Sequence, residues 1–280
     1  MRGFSRGMYS NWLWHKPLQL LVDAGEGLQL ALGTNVFSPS VLAITHGHSD
    51  HVLGLPGLVA ARKFGKGAVD KPLTILYPEG SRGVQAAREL LGTAYAGVVF
   101  PLTWVAASHG TTHPIGKGKQ LEAFTVRHTS HEAALGFRVI ETRKRLKPEF
   151  ATLSQAEIEA AARQGSRDAL LEDVRHVVFA HSGDAMPIDP ALVMDADVLV
   201  HDATFLDEPD RREPIHATTE EAIDVARRAN ARTLVLHHLS IRYDRATAVP
   251  VLRAQVASSG FAGDCWLLDD DQFIEVGSSR

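Results

Sequence analysis

Cysteine is nearly absent: Cys265 stands alone among 280 residues, so no disulfide can form within the chain. A reducing cytoplasm is its natural setting. Long apolar runs are missing as well. Leu18-Gln19-Leu20-Leu21-Val22 is of strand length, well short of the ~20 residues a membrane-spanning helix needs. The opening Met1-Arg2-Gly3-Phe4-Ser5-Arg6-Gly7 has no apolar signal-peptide core behind its basic residues, so a cytoplasmic protein with no membrane partner is expected. Nor is there an excess of basic charge. Lys and Arg number 29 against 33 Asp and Glu, a net charge of −4, which argues against a general nucleic-acid binder. No internal repeat, low-complexity tract or convincing linker is visible.

What remains is an ordinary globular composition, 45% hydrophobic and 22% charged, in a chain long enough to bury a large core without staples. Residues 1–280 read as one domain. The charge is uneven, with basic Arg143-Lys144-Arg145-Leu146-Lys147 set against acidic Asp269-Asp270-Asp271. The basic run is either a solvated face or a local phosphate-backbone contact, which needs a patch rather than a basic protein.

Histidine is plentiful, with 14 in the chain, and three of them share the stretch His46-Gly47-His48-Ser49-Asp50-His51. It follows the apolar run Val41-Leu42-Ala43-Ile44, so three imidazoles and a carboxylate crowd one turn at the end of a buried strand. Neutral imidazole and carboxylate suit zinc and neighbouring first-row metals, and four such groups can hold two ions side by side.

Strand-length apolar runs recur at 18–22, 41–45, 73–77, 121–127, 135–140, 176–180, 197–200, 232–237 and 266–268, bounded by Gly, Pro, Asp or His. Helical spacing marks 81–91, ending at Gly92, and 154–163, with Ser154 as cap and Glu157 three residues on. Residues 218–229 form the clearest helix, opened by a Thr218/Glu221 capping-box pattern. Many strands with scattered helices predict two packed sheets with helices outside. Segment 141–175, polar and charged, reads as an insertion.

Four groups do not complete two metal shells, so further ligands are sought at later strand ends. Strand 121–127 runs into His128, strand 176–180 into His181-Ser182-Gly183-Asp184, and strand 232–236 into His237-His238. Asp184 suits a bridging carboxylate, because Gly183 lets the backbone turn tightly beside the ions; the alternative is a turn former. At least one of His237 and His238 is a candidate ligand. His109 and His113 read as surface residues, and His15 and His176 as structural ones.

Together these residues resemble the metallo-β-lactamase fold and, within it, the ribonuclease Z family of tRNA 3′-processing endoribonucleases. The likeness runs from about Leu20 to Tyr243. It rests on Asp23-Ala24-Gly25-Glu26-Gly27, Thr45 to His51, Gly54-Leu55-Pro56-Gly57-Leu58, Gly136-Phe137-Arg138, Arg145-Leu146-Lys147, Ser182-Gly183-Asp184, His201-Asp202-Ala203-Thr204-Phe205, His216-Ala217-Thr218 and His238-Leu239-Ser240-Ile241-Arg242-Tyr243. The resemblance implies an α/β fold, a four-layer αββα sandwich of the metallo-β-lactamase type. It implies one metal held by His46, His48, His128 and Asp184, and a second by Asp50, His51, Asp184 and His238. His128 follows an aromatic by four residues, as in the family, but a longer following loop keeps His131 as the alternative. Asp23 would support the metal turn from behind. The implied catalytic residues are Asp50, His216 and Asp202, with His216 as proton donor oriented by Asp202. Ser240 and Arg242 are the implied substrate-binding residues, or else buttress His238.

Some positions depart from the family pattern. Asp202 stands where Glu is usual and must sit closer to its partner; His237 and Ala185 each replace a usual Thr. The amino terminus is short and is expected to lack the usual opening strand, and segment 141–175 holds the place of the tRNA-gripping arm without a Gly-Pro-rich hallmark. The expected activity is therefore a metal-dependent phosphodiesterase that removes the 3′ trailer of precursor tRNA. Its cofactors would be two divalent ions, zinc first, with manganese and iron as alternatives. A homodimer is common in the resembling family. The alternative keeps the site but takes a small phosphodiester, sulfate ester or lactone. A dead binding subunit is opposed by the full ligand set, and a thioester hydrolase resembling glyoxalase II by the His-Asp-Ala-Thr and Ser-Ile-Arg-Tyr segments.

Overall fold

A computed structural model describes residues 1–65, 71–94, 97, 100–150, 152–164 and 167–278. The chain opens with a hairpin, β1 (Arg2–Arg6) and β2 (Ser10–His15), paired from Arg2↔Trp14 to Arg6↔Ser10. This corrects the expectation that no opening strand exists. The residues that β1 buries are Gly3 and Ser5, so it carries no apolar alternation to read. β3 (Leu20–Val22), β4 (Val41–Ala43), β5 (Leu73–Pro78) and β6 (Leu102–Ala107) follow in parallel and complete a six-stranded sheet in chain order.

The second sheet has eight strands, also stacked in chain order. β7 (Thr112–Ile115), β8 (Lys119–Thr125), β9 (Leu135–Leu146) and β10 (Leu171–His181) are antiparallel neighbours. β11 (Leu199–Asp202), β12 (Thr233–His237) and β13 (Asp264–Asp269) continue from β10 in parallel, and β14 (Gln272–Gly277) closes the sheet as a hairpin partner of β13. The acidic run belongs to that hairpin: Asp270 turns the chain with a positive φ of 52°, while buried Asp269 accepts from Arg245 Nε at 2.9 Å.

The sheets pack face to face through Leu20, Val41, Ala43, Phe137, Phe179, Val200 and Val235. Outside the first sheet lie α1 (Leu28–Leu32), α2 (Ser49–Val52), α3 (Leu55–Phe64) and α4 (Arg82–Ala94), which bury Leu28, Leu55, Leu58 and Val84 against Leu42 and Ile44. Beyond the hairpin helix α5 (Gln155–Gln164), α6 (Thr219–Arg228) and α7 (Arg245–Ser259) cover the second sheet with Ala222, Ile223, Leu252 and Val256. The result is the four-layer αββα sandwich. Central strands are buried on both faces, which is why they read as continuous apolar runs. In β4, Leu42 faces helices while Val41 and Ala43 face the other sheet.

The capping box at α6 forms as the spacing predicts, Thr218 accepting from Glu221 N and Glu221 from Thr218 N. Ser154 and Glu157 cap α5 in the same way. α7 escaped the sequence reading because Pro250 lies inside it and its apolar positions are scattered. Between 141 and 175 the chain forms the outer length of the β9–β10 hairpin with α5 beyond it. Much of the basic run is held in ion pairs: Lys144 faces Asp173 across the strands at 3.0 Å and Arg145 faces Glu172 at 3.0 Å, while Arg143 meets Glu141 of its own strand at 2.8 Å and Asp197 at 3.2 Å.

One buried cation ties the loops of the first sheet together. Arg62 of α3 is fully buried and donates to the carbonyls of Val36, Pro39, Lys71 and Pro72 at 2.7–3.2 Å. Burial lowers its pKa to about 10, which leaves it charged at neutral pH. Arg62→Met should cost about 3 kcal/mol of stability, because it strands several buried carbonyls. Urea denaturation of the two proteins measures the difference, and a cost below ~0.5 kcal/mol would show the clamp to be dispensable.

Candidate metal centre

The parallel strands of both sheets end at one rim, and each end delivers a polar side chain. Past β4, Thr45 docks on buried Asp23, which accepts from Thr45 N at 2.7 Å and Thr45 Oγ1 at 2.9 Å. That anchor fixes the start of the turn, so His46 and His48 point across the rim while short α2 supplies Asp50 and His51. β8 leads to His128, β10 to Asp184, β11 to Asp202 and β12 to His238. Gly183 lets Asp184 turn inward: its φ is +63°, and a Cβ there would lie 2.7 Å from Thr45 Cβ.

The donors fall into overlapping groups, His46/His48/His128, His46/His51/Asp184, Asp50/His51/His238 and Asp184/Asp202/His216/His238, each within 4.8 Å. His46 Nε2 lies 2.9 Å from His48 Nδ1, and His128 Nε2 lies 3.3 Å from that same atom. Asp184 Oδ2 stands 3.6 Å from His46 Nε2, 3.3 Å from His51 Nε2 and 3.0 Å from His238 Nε2. Asp50 Oδ2 is 3.5 Å from both His51 Nε2 and His238 Nε2. A tetrahedral ion with bonds of 2.0–2.2 Å sets its ligands about 3.3–3.6 Å apart, so the spacing fits. Asp184 Oδ1 and His238 Nε2 are buried with no hydrogen-bond partner, as atoms reserved for a cation would be.

The tautomers agree. His46 Nδ1 donates to Thr45 Oγ1 at 3.0 Å, His51 Nδ1 to Asp23 Oδ2 at 2.8 Å, His128 Nδ1 to the Ile215 carbonyl at 2.9 Å, and His238 Nδ1 to Thr204 Oγ1 at 2.8 Å. Each leaves an Nε2 lone pair facing the centre, whereas His48 presents Nδ1. Burial lowers the pKa of His46, His48 and His128, which keeps these imidazoles neutral and able to bind metal. His51 differs: burial opposes its charged form, but the Asp184 and Asp23 carboxylates outweigh burial and raise its pKa well above the ordinary value, so a bound cation there would take the place of a proton. These residues together can hold divalent metal.

His216 stands between the two halves of the cluster. Its ring is 4.9 Å from those of both His128 and His238, nearly parallel to the latter at 16°. Its Nδ1 donates to Asp202 Oδ2 at 2.7 Å, so the short Asp reaches its partner where a longer Glu is usual. Asp202 is fully buried and also accepts from Ala185 N, Thr204 N and Thr204 Oγ1 at 2.7–3.0 Å, leaving it little capacity to bind metal. Burial pulls the His216 pKa down, but charge attraction and the hydrogen bond to Asp202 outweigh it and raise the value to about 9.

His131 is exposed and joins no donor cluster among the described residues, so the geometry brings in His128 and not His131. Of the His237–His238 pair, His238 joins the cluster, while His237 packs against His181 at 4.6 Å. Ser240 stays beside the site, its amide donating to the Thr204 carbonyl at 3.0 Å. Arg242 lies exposed over the Phe205 ring at 5.7 Å and donates to the Asp210 carbonyl at 3.1 Å, so it does not buttress His238. Sequence reasoning missed Asn11 of β2, whose amide donates to Asp50 Oδ2 at 3.0 Å. It also missed the role of Thr204 in holding His238, although Thr204 lies in the His201–Phe205 segment that carries the family resemblance.

Two mixed sheets sandwiched by helices, with histidine and aspartate gathered where parallel strands end, define a protein of the metallo-β-lactamase superfamily. The family model described as Beta-lactamase superfamily domain matches residues 19–239. The ribonuclease Z of Halobacterium salinarum is 32% identical over 279 residues, covering 91% of this chain and 87% of its own length. That of Halorubrum lacusprofundi is 34% identical over 289 residues, covering 92% and 88%. The chain belongs to the ribonuclease Z family. In fold it superimposes on human tRNase Z, short form, with a TM-score of 0.65 at 20% identity, covering 99% of this chain and 100% of that one. It also matches YhfI of Bacillus subtilis, with a TM-score of 0.64 at 16% identity and coverage of 97% and 98%.

The placement of the two loop histidines gives a direct test. His128→Ala should weaken binding of one ion by more than the ~10–100-fold that loss of an outer-shell partner costs, while His131→Ala binds metal like the parent. Metal analysis after dialysis against a weak chelator reads both; the reverse pattern would transfer the ligand role to His131.

Proposed function

We propose that this protein is a dinuclear-metal phosphodiesterase that removes the 3′ trailer of precursor tRNA by endonucleolytic cleavage. The reading rests above all on donors gathered around Asp184, which groups with His46 and His51 on one side and with His238, His216 and Asp202 on the other. His46, His48, His128 and Asp184 would hold one ion, and Asp50, His51, Asp184 and His238 the other. Zinc suits this donor set best, with manganese or iron as substitutes. Bound divalent ions at such a centre lower the pKa of water and neutralise charge on a phosphoryl oxygen.

His216 supplies the proton. A pKa raised to about 9 keeps its imidazole protonated at neutral pH, with Nδ1 engaged by Asp202 and Nε2 free to donate to a leaving 3′-oxygen. Asp50 completes the catalytic group, held by Met8 N at 3.1 Å and Asn11 Nδ2 at 3.0 Å. Ser240 and Arg242, on the loop after His238, would meet a substrate phosphate, Arg242 by leaving the Phe205 ring and the Asp210 carbonyl. The names of the ribonuclease Z relatives support RNA as substrate, and tRNA is the reading taken from the human neighbour's name. We take residues 1–280 as one domain with 141–175 as an insertion, working as a homodimer in the cytoplasm. Among the described residues no helix is long and apolar enough to cross a membrane.

One observation favours the smaller substrates. Segment 141–175 holds seven basic and seven acidic residues, and Arg143, Lys144 and Arg145 are already paired. A neutral arm gives little electrostatic grip on RNA. The deciding assay offers the zinc- or manganese-loaded protein a precursor tRNA and a chromogenic small phosphodiester. Trimming of the tRNA, lost in His48→Ala, supports the proposal; turnover of the small ester alone overturns the tRNA assignment.

Two further outcomes are expected. His216→Ala should slow turnover by ~10²–10⁴-fold while metal content stays at the parental level. A fall in bound metal would make His216 a ligand instead. Replacing Arg143, Lys144, Arg145 and Lys147 by Gln should change the log–log salt slope of RNA binding by less than about one. A drop of three or four would make the run a phosphate clamp.

A further inference from the structure

We propose that Glu132 is a positioning residue that locks the His46–His48 turn against the loop carrying His128. The inference builds on the metal-centre reading above and assigns a role to a residue outside the donor set. Glu132 lies in the loop between β8 and β9, four residues after His128 and three before β9 begins. Its Oε1 accepts from Gly47 N at 3.2 Å and from the hydroxyl of Ser81, and its Oε2 accepts from Arg82 N at 3.3 Å. One carboxylate therefore ties together the turn that holds His46 and His48, the loop that holds His128, and the first residues of α4. The Leu135 amide adds a second staple by donating to the Thr45 carbonyl at 2.8 Å.

The packing shows how closely these parts are fitted. A Cβ on Gly47 would lie 2.5 Å from Glu132 Oε1, 2.6 Å from Ser81 Oγ and 2.8 Å from Gly83 Cα. A Cβ on Gly83 would meet the Gly47 carbonyl at 1.8 Å. The turn is thus clasped between α4 and the Glu132 loop, with Gly47 as the only residue that fits there. A carboxylate suits the position because every neighbouring group is a donor and the N-terminus of a helix favours negative charge. His46, His48 and His128 come from two segments far apart in sequence. Their nitrogens must keep a spacing within a few tenths of an ångström, and Glu132 joins those two segments directly.

Glu132→Ala should cut the affinity of the three-histidine pocket by ~10–100-fold, the range typical for loss of an outer-shell partner. The other ion should bind within about threefold of the parental affinity, since His51, Asp50 and His238 are held by Asp23, Asn11 and Thr204. Glu132→Gln keeps a carbonyl for Gly47 and Ser81 and should recover most of the loss. Cobalt(II) titration of the full chain, followed by its visible absorption and by competition with a chromogenic chelator, separates the two binding steps. The step weakened in Glu132→Ala should be the one that His128→Ala removes. Equal and unchanged affinity at both steps overturns the role, as does an equal loss at both in folded Glu132→Gln. If Glu132→Ala does not fold, Ser81→Ala carries the test. It removes one donor to the same carboxylate and should weaken the same step severalfold; no change there overturns the proposal. A parental protein that takes up no cobalt would instead remove the metal-centre reading itself.

Discussion

Nitrogen and oxygen lone pairs do not crowd together in a protein interior unless something positive lies among them. Here five imidazole nitrogens and two carboxylates face one another over separations of 2.9–3.6 Å, most of them on buried residues. Much of the architecture serves that arrangement. Both sheets run their parallel strands toward the same rim, so residues more than a hundred positions apart arrive together. Strands buried on both faces cannot shift register without forcing apolar side chains out of one of three cores, and this holds their ends in place.

The donors need orientation as well as proximity, and a shell of neutral or anionic acceptors supplies it. Asp23 serves two proposed ligands at once: it accepts a hydrogen bond from His51 Nδ1 and, through Thr45, fixes the acceptor for His46. Asp202 does the same on the other side, anchoring Thr204 for His238 while holding His216 directly. Each buried acid thus couples one side of the rim into a single unit. The two acids differ in what they touch: Asp23 meets proposed ligands alone, whereas Asp202 links a proposed ligand to the proposed proton donor. Loss of Asp202 would disturb both binding and proton transfer, so its effects would not separate as those of His216 should.

The sequence was most legible where burial on two faces left continuous apolar runs and where a ligand followed such a run directly. β4, β10 and β12 satisfy both conditions, and His46, Asp184 and His238 were found from them. β1 satisfied neither, and β2, though Trp12, Leu13 and Trp14 are buried on its two faces, leads to no ligand. Gly3 and Ser5 face inward on β1, so the strand that carries Asn11's neighbour across the hairpin left no hydrophobic trace. The choice between His128 and His131 turned on loop geometry that spacing alone does not encode, since both follow the same strand. Thr204 and Glu132 were invisible as site residues for another reason. Their contribution is a hydrogen bond to a group distant in sequence, and residue type alone does not reveal such a bond. The paired charges of β9 and β10 were hidden similarly, because Arg145 and Glu172 become neighbours only when the hairpin closes.

That closure bears on how the centre would meet a long anionic substrate. Cations paired across strands leave the hairpin close to neutral, and exposed pairs of this kind contribute little to stability. They serve solubility and hairpin register better than long-range attraction. The grip on a phosphodiester then falls mainly to the rim itself. Bound divalent ions there would be the strongest positive charge available, with exposed Arg242 nearby, lying over Phe205. A site built this way concentrates its recognition near the scissile bond. Binding would depend more on metal occupancy than on ionic strength, which sets it apart from a protein that captures RNA through a basic surface.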